Sequence, residues 1–423
     1  MSQINHSEIA NVETSGILDN FAVKQLFKRL KSIPRGRLLI EDGSQIHSFG
    51  EDSDIAEIKA TIIIHDRTAY RDIAFGGSMG SAEAYMAGKW TSPNLVSLIR
   101  LMSINIDFLN TMDDSRFFPQ RLLDKVFHWL NRNTESRSRE NISAHYDLSN
   151  DFFALFLDPE MMYSSAIFQG PSMGLDDAAV FKLETICQKL ELKSSDHLLE
   201  IGTGWGGMAI YAARTYGCRV TTTTISKEQY ETACRKVDEE GLGDQVTVLF
   251  EDYRKLEGSF DKLVSIEMIE AVGHEFYKQY FSVCASLLKA DGLMLLQAIT
   301  IPDQRYDYAL GSVDFIQRYI FPGGSLPSHS AIMSSVKKHT DMQMIGMQEI
   351  GEDYARTLSI WRERFLGRLE DVSAMGFDDF FVRMWNYYLC YCQGAFEERV
   401  IGTSQILLAK PHWRLSNDYS ERV

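Results

Sequence analysis

From residue 197 onward, short β-rich runs alternate with stretches of helical spacing. The runs are "HLLEIG" (197–202), "RVTTTTIS" (219–226), "QVTVLF" (245–250), "KLVSIEM" (262–268) and "GLMLLQAITI" (292–301). Parallel strands need long crossovers, usually helices, so this alternation restricts the region to a parallel doubly wound α/β sheet. After the first run comes "LLEIGTGWGGMAIYAA", with Gly202, Gly204 and Gly207 in GxGxxG spacing. Glycines between a strand and a helix let the backbone approach a nucleotide-like ligand at the helix N-terminus.

Two details choose between ligands. A dinucleotide fold places an acid at the end of the second strand, about 20 residues on, to bind ribose hydroxyls. Here "TTTTISKEQ" offers Thr224 and Gln229 instead. Glu200 stands two residues ahead of the first glycine, where class I methyltransferases commonly carry an acid. The loop therefore reads as a site for S-adenosylmethionine (SAM) rather than NAD.

At 423 residues the chain exceeds one small core, and a second domain is expected upstream. From 36 to 76, "GRLLIED", "IKATIIIHD" and "AYRDIAFG" alternate apolar with polar residues, as in a small antiparallel sheet. "GSAEAYMAGKW" and "SPNLVSLIRLMSI" follow with helical spacing. The expected plan is a disordered stretch 1–15, an α+β domain 16–112, a linker 113–140, the catalytic domain 141–412 and a tail 413–423.

The net charge of −15 argues against nucleic acid and against general attraction to an anionic membrane. Two local segments depart from this. "FAVKQLFKRLKSIPRGR" places Phe21, Val23, Leu26, Phe27 and Leu30 near helical spacing beside Lys24, Lys28, Arg29 and Lys31, as a lipid-surface helix or a packing helix would. "RLLDKVFHWLNRNTESRSR" (121–139) mixes Phe127 and Trp129 with cations. No apolar run is long enough to cross a bilayer, and "MSQINHSEIANVETSG" lacks signal-peptide features, so a cytoplasmic address is expected. The six cysteines form no CxxC pair and no zinc spacing, so no metal is expected.

"IEMIEAVGHEF" (266–276) sets two glutamates among apolar neighbours. A carboxylate there either turns to water or is buried at a cost that something must offset. Several stretches together resemble the cyclopropane-fatty-acyl-phospholipid synthases and mycolic acid cyclopropane synthases. They are "HYDLSNDFFALFLDPEMMYSSAIF" (145–168), "LLEIGTGWGG" (198–207), "TISKEQ" (224–229), "EMIEAVGHEF" (267–276), "FIQRYIFPGGSLPS" (315–328), "DYARTLSIWRERF" (353–365) and "YCQGAFEERVIG" (391–402). The 36–112 domain is more loosely similar to the amino-terminal domain of the bacterial lipid synthases.

The resemblance implies a class I SAM-methyltransferase fold acting on unsaturated phospholipid acyl chains during a transient visit to the inner membrane face. It also implies a bound bicarbonate as proton acceptor, and it suggests a homodimer. By that resemblance, Glu270 and Tyr354 reach the bicarbonate. Near the bicarbonate, Ser165 stands where the family usually has cysteine, an exchange that the backbone amide survives, and Gln297 stands where bacterial members have histidine and plant-type members glutamine. Glutamine positions an anion but does not titrate near neutral pH.

Cofactor contacts carried over are Tyr163, Ser164, Glu200, Gly202, Gly204, Trp205, Gly207, Thr224, Ser226, Gln229, Asp252 and Tyr253. Cys392 matches a cysteine often named as an active-site residue, although alkene methylation needs no covalent intermediate and a thiol in an aromatic helix is usually packing. Glu267 and His274 are expected to be structural or solvent facing. A related lipid methyltransferase giving a methyl-branched or methylene product, or a non-catalytic lipid-binding protein, would share the fold.

Overall fold

The computed structural model describes residues 6–51, 58–114 and 148–414. The basic stretch 121–139, most of the expected linker 113–140 and most of the tail 413–423 lie outside them. The described residues divide into two compact units, 6–114 with 366–398, and 148–365 with 399–414.

In the first unit, a helix His6–Leu30 starts inside the stretch expected to lack structure. Ala22, Leu26 and Leu30, four residues apart, are buried, and Phe27 meets the rings of His47, Phe49 and Tyr70. Its apolar stripe is thus spent on packing, while Lys24, Lys28, Lys31 and Phe21 stay exposed. Strands β1 (Arg37–Asp42), β2 (Gln45–Phe49), β3 (Lys59–Ile64) and β4 (Trp90–Thr91) form a sheet in the order β2-β1-β3-β4.

Two expectations are corrected here. β1 and β3 pair in parallel, so the sheet is mixed rather than antiparallel. "AYRDIAFG" is not a strand but lies in the helix Thr68–Met86, because a short apolar run does not distinguish the two periods. The helix Leu95–Ile104 forms as its spacing predicts, capped by the Asn94 side chain. The late helix Asp379–Glu397 also belongs to this unit. Gly394 lets it approach closely, since a Cβ there would stand 2.7 Å from Cγ2 of Ile99. The stretch 141–412, expected as one catalytic domain, thus contributes residues to both compact units.

The second unit carries a seven-stranded sheet. Its strands are β5 (His197–Ile201), β6 (Arg219–Thr224), β7 (Val246–Phe250), β8 (Phe260–Ile266), β9 (Leu288–Thr300), β10 (Gln343–Glu349) and β11 (Gly402–Ala409), in the order β10-β11-β9-β8-β5-β6-β7. β5 to β9 pair in parallel as expected; β11 adds antiparallel to β9, and β10 antiparallel to β11. The strand order reverses between β5 and β8. That makes their carboxyl ends the topological switch point, where ligands bind in open α/β sheets.

An aromatic cluster ties the 150–168 segment to this edge. The Phe156 ring lies 5.6 Å from Phe152, 6.2 Å from Trp361 and 6.5 Å from Phe365, while Tyr163 stacks on Trp361 at 5.4 Å. Trp361 and Phe365 sit on the helix Gly351–Leu366, which also carries Tyr354. Phe156→Ala should therefore lower stability by about 3–5 kcal/mol, read from denaturant unfolding of purified protein.

Candidate active site

The carboxyl ends of three consecutive parallel strands line up the cofactor-side residues. After β5, Gly202 and Gly204 take φ of 102° and 51°, the left-handed region that favours glycine. The amides of Gly202 and Thr203 both donate to the Thr223 carbonyl at 3.1 Å, which pins the loop to β6. Gly207 opens the helix Gly207–Tyr216 against the 160–162 segment; a Cβ there would stand 2.6 Å from the Glu160 carbonyl and 2.8 Å from Sδ of Met162. Trp205 is buried, donates from Nε1 to Oδ1 of Asn150 at 2.6 Å and packs on Phe153. Such a cradle fits an adenosyl ligand lying along the strand ends.

After β6, Thr224 Oγ1 donates to Oε1 of Gln229 at 2.9 Å, and Ser226 caps the helix Lys227–Glu239. After β7, Asp252 pairs with Arg254 at 2.5 Å in a buried ion pair. Burial pushes the Asp252 carboxyl up, but the Arg254 hydrogen bonds and charge bring it below its ordinary value. Tyr253 follows, its ring 5.6 Å from that of Tyr280. Glu200 is buried on β5, accepts from Thr222 Oγ1 at 2.7 Å, and is pushed up to about 8 by burial.

The second cluster forms where β8 and β9 end. Ile266 pairs with Gln297, so Glu267 leaves the sheet immediately beyond that pair, with φ of 50°. A glutamate in that region is strained by about 1–2 kcal/mol, and the left-handed turn carries its side chain inward. Glu267 Oε1 accepts from the Ser165 amide at 3.0 Å and from Gln297 Nε2 at 2.8 Å, and Oε2 accepts from the Tyr354 hydroxyl at 2.8 Å. Gln297 is oriented from behind: Lys189 Nζ donates to Gln405 Oε1 at 2.5 Å, and Gln405 Nε2 donates to Gln297 Oε1 at 2.9 Å. The Ser165 hydroxyl turns away, to the Ala166 carbonyl.

Glu270 sits one turn on in the short helix Ile269–Ala271. Its Oε1 accepts from the Ile299 amide at 2.5 Å, and its Oε2 is buried without a hydrogen-bond partner among the described residues. Burial, and then the charge of Glu267, push Glu270 up to about 8. Burial also raises Glu267, against the pull of Gln297, Ser165, Lys182 and Tyr354.

The structure thus brings Ser165, Glu270, Gln297 and Tyr354 into one unit and gathers three of them on Glu267. Of the two residues expected to be structural or solvent facing, half-buried Glu267 holds the centre of the cluster through its carboxylate, while His274 is exposed. Cys392 lies on the helix Asp379–Glu397 of the first unit.

Lys182 escaped sequence reasoning altogether. It is fully buried, donates to Ser164 Oγ at 2.7 Å and faces the charges of Glu267 and Asp158, with burial lowering it to about 8. A signal was present: Lys182 falls on the apolar stripe of Ala178, Ala179 and Ile186.

A family model described as mycolic acid cyclopropane synthetase matches residues 133–406. The chain belongs to this family. Among its relatives, a tuberculostearic acid methyltransferase, UfaA1, from Mycobacterium tuberculosis is 34% identical over 86% of this chain and 87% of its own length. The cyclopropane-fatty-acyl-phospholipid synthase of Escherichia coli K12 is 37% identical over 83% of this chain and 88% of its own. A crystal structure of mycolic acid cyclopropane synthase CmaA1 with SAH and CTAB superposes with a TM-score of 0.61 at 31% identity, covering 64% of this chain and 98% of that one. The chain is a SAM-dependent methyltransferase of the class I fold.

The buried pair has a pH signature. The unfolded Glu270 carboxyl releases its proton near 4.5 and the folded one near 8. Between these values the folded state holds the extra proton, so stability falls as pH rises. Glu270→Gln keeps an acceptor for Ile299 and removes the charge. From pH 5 to pH 8 its unfolding free energy should decline by about 3 kcal/mol less than that of the wild type, read from urea melts at each pH.

Proposed function

We propose that this methyltransferase adds the methyl carbon of SAM to the cis double bond of an unsaturated fatty acyl chain carried by a phospholipid, and closes a cyclopropane ring. The observation that carries this reading is a pair of carboxyls held from water at the ends of β8 and β9, flanking Met268, which faces Gly202 of the glycine loop, with Tyr354 joining Glu267 to the Trp361 ring. SAM supplies an electrophilic methyl. The alkene supplies the electrons, so the chain needs no strong nucleophile. It must instead exclude water, place negative charge beside a carbon that turns cationic, and take a proton. Buried carboxylates and aromatic faces meet the second demand.

The cyclopropane-fatty-acyl-phospholipid synthase of Escherichia coli and a relative from Pseudomonas putida named as a probable fatty acid methyltransferase support an acyl substrate. The tuberculostearic acid methyltransferase supports a second reading, in which the proton leaves without ring closure and the product is branched or carries a methylene. Incubating the protein with labelled SAM and vesicles of defined unsaturated phospholipids decides between them by acyl mass. A gain of one CH2 unit with loss of the double bond is expected. The same gain with a surviving double bond favours the second reading, and no gain across a broad lipid panel favours a lipid-binding scaffold.

Access to acyl chains implies a membrane visit. Among the described residues no helix is long and apolar enough to cross a bilayer. The basic face of His6–Leu30 and the residues after it suit a negatively charged surface, with Phe21 exposed beside it. Reversing Lys28, Arg29 and Lys31 to glutamate should weaken cosedimentation with anionic vesicles about tenfold or more. Unchanged sedimentation would discard this surface.

A further inference from the structure

The donors that the family resemblance assigns to a bicarbonate ion are already engaged. The Ser165 amide, Gln297 Nε2 and the Tyr354 hydroxyl all donate to the carboxylate of Glu267. A free anion among them would have to displace that carboxylate. It would also bring further negative charge beside two buried carboxyls, with Lys182 as the neighbouring cation that acts on Glu267. The residues present therefore do not fit a separate bicarbonate. They fit one carboxylate supplied by the chain.

We propose that Glu267 is that carboxylate: it occupies the anion position and accepts the proton released when the product forms. This rests on the alkene-methylation reading above. Of the two carboxyls, Glu267 is the one held as an anion, because three donors converge on it, whereas Glu270 receives a single side-chain hydrogen bond, from Ile299. A carboxylate offers about four lone-pair sites, so after three bonds one remains to take a proton.

The step balances without a co-reactant. One alkene carbon bonds to the transferred methyl as the S–C bond breaks to leave a neutral thioether, and the other alkene carbon becomes cationic. A methyl C–H bond then breaks, its electron pair closes the ring at the cationic carbon, and its proton goes to Glu267. Gln297, which does not titrate, and the Ser165 amide keep the carboxylate in place. Tyr354 shares its second oxygen.

The test compares turnover of the whole protein in carbon-dioxide-scrubbed buffer and in the same buffer with added bicarbonate, using vesicles of an unsaturated phospholipid. Wild-type turnover is expected to be equal in both, and 13C-labelled bicarbonate is expected to show no line broadening on adding protein. Glu267→Gln fills the same space without basicity. It should lose about 100-fold or more in turnover, keep its affinity for SAH within about threefold by calorimetry, and gain nothing from bicarbonate.

Glu267→Gly suits the backbone, since φ there is 50°. It should be inactive in scrubbed buffer, regain turnover with added bicarbonate, and broaden the 13C signal. Wild-type turnover that falls on scrubbing, a Glu267→Gln variant as fast as the wild type, or a folded Glu267→Gly variant that bicarbonate fails to restore would each overturn the proposal while leaving the methyltransfer reading intact. A wild type that modifies no unsaturated lipid in either buffer would overturn both.

Discussion

Two carboxyls buried three residues apart are the constraint around which the catalytic unit is arranged. Each resists ionisation in the interior, and the charge of Glu267 makes ionisation of Glu270 harder still. Leaving one such charge unpaired costs several kcal/mol, so the chain must bring compensating groups from elsewhere. They come from far apart in sequence: an amide at 165, a lysine at 182, an amide side chain at 297 and a hydroxyl at 354. The aromatic cluster of Phe152, Phe156, Trp361 and Phe365 explains how they stay in register, because it locks the 150–168 segment against the helix bearing Tyr354.

Much of the frame was legible in sequence because its causes are local. The five parallel strands follow from β-rich runs separated by helical spacing, and the glycine loop follows from the left-handed φ of Gly202 and Gly204. β10 and β11 were not anticipated. β10 exposes most of its residues and β11 buries most of its own, so neither presents a clean alternation, and their place is set by pairing with β9. The helix Asp379–Glu397 shows the same limit. Its apolar face is evident from sequence, but nothing local says which core it joins, and the close approach at Gly394 decides the matter.

Within the site, Glu270 was legible and Glu267 was not, for one physical reason. Both stand in the same short motif, and a residue directly after a strand is ordinarily expected to turn outward. The positive φ at Glu267 reverses that expectation, and such a conformation is invisible in the residue type, since glutamate rarely adopts it. The strain is tolerated because the surroundings over-determine it: the Glu267 amide donates to the Gln297 carbonyl at 2.8 Å while the side chain receives its three bonds.

Seen from Glu267, the two departures from the family pattern become consistent with each other. A cysteine at 165 would contribute its backbone amide, and serine contributes the same amide with its hydroxyl turned aside onto Ala166. A histidine at 297 could take up a proton and become a cation next to the carboxylate, competing for the proton that the reaction releases. Glutamine donates without titrating, and Gln405 and Lys189 behind it dictate which end of its amide faces forward. A site whose anion is part of the chain needs neighbours that hold and do not exchange protons. An amide nitrogen at 165 and an amide side chain at 297 are groups of that kind.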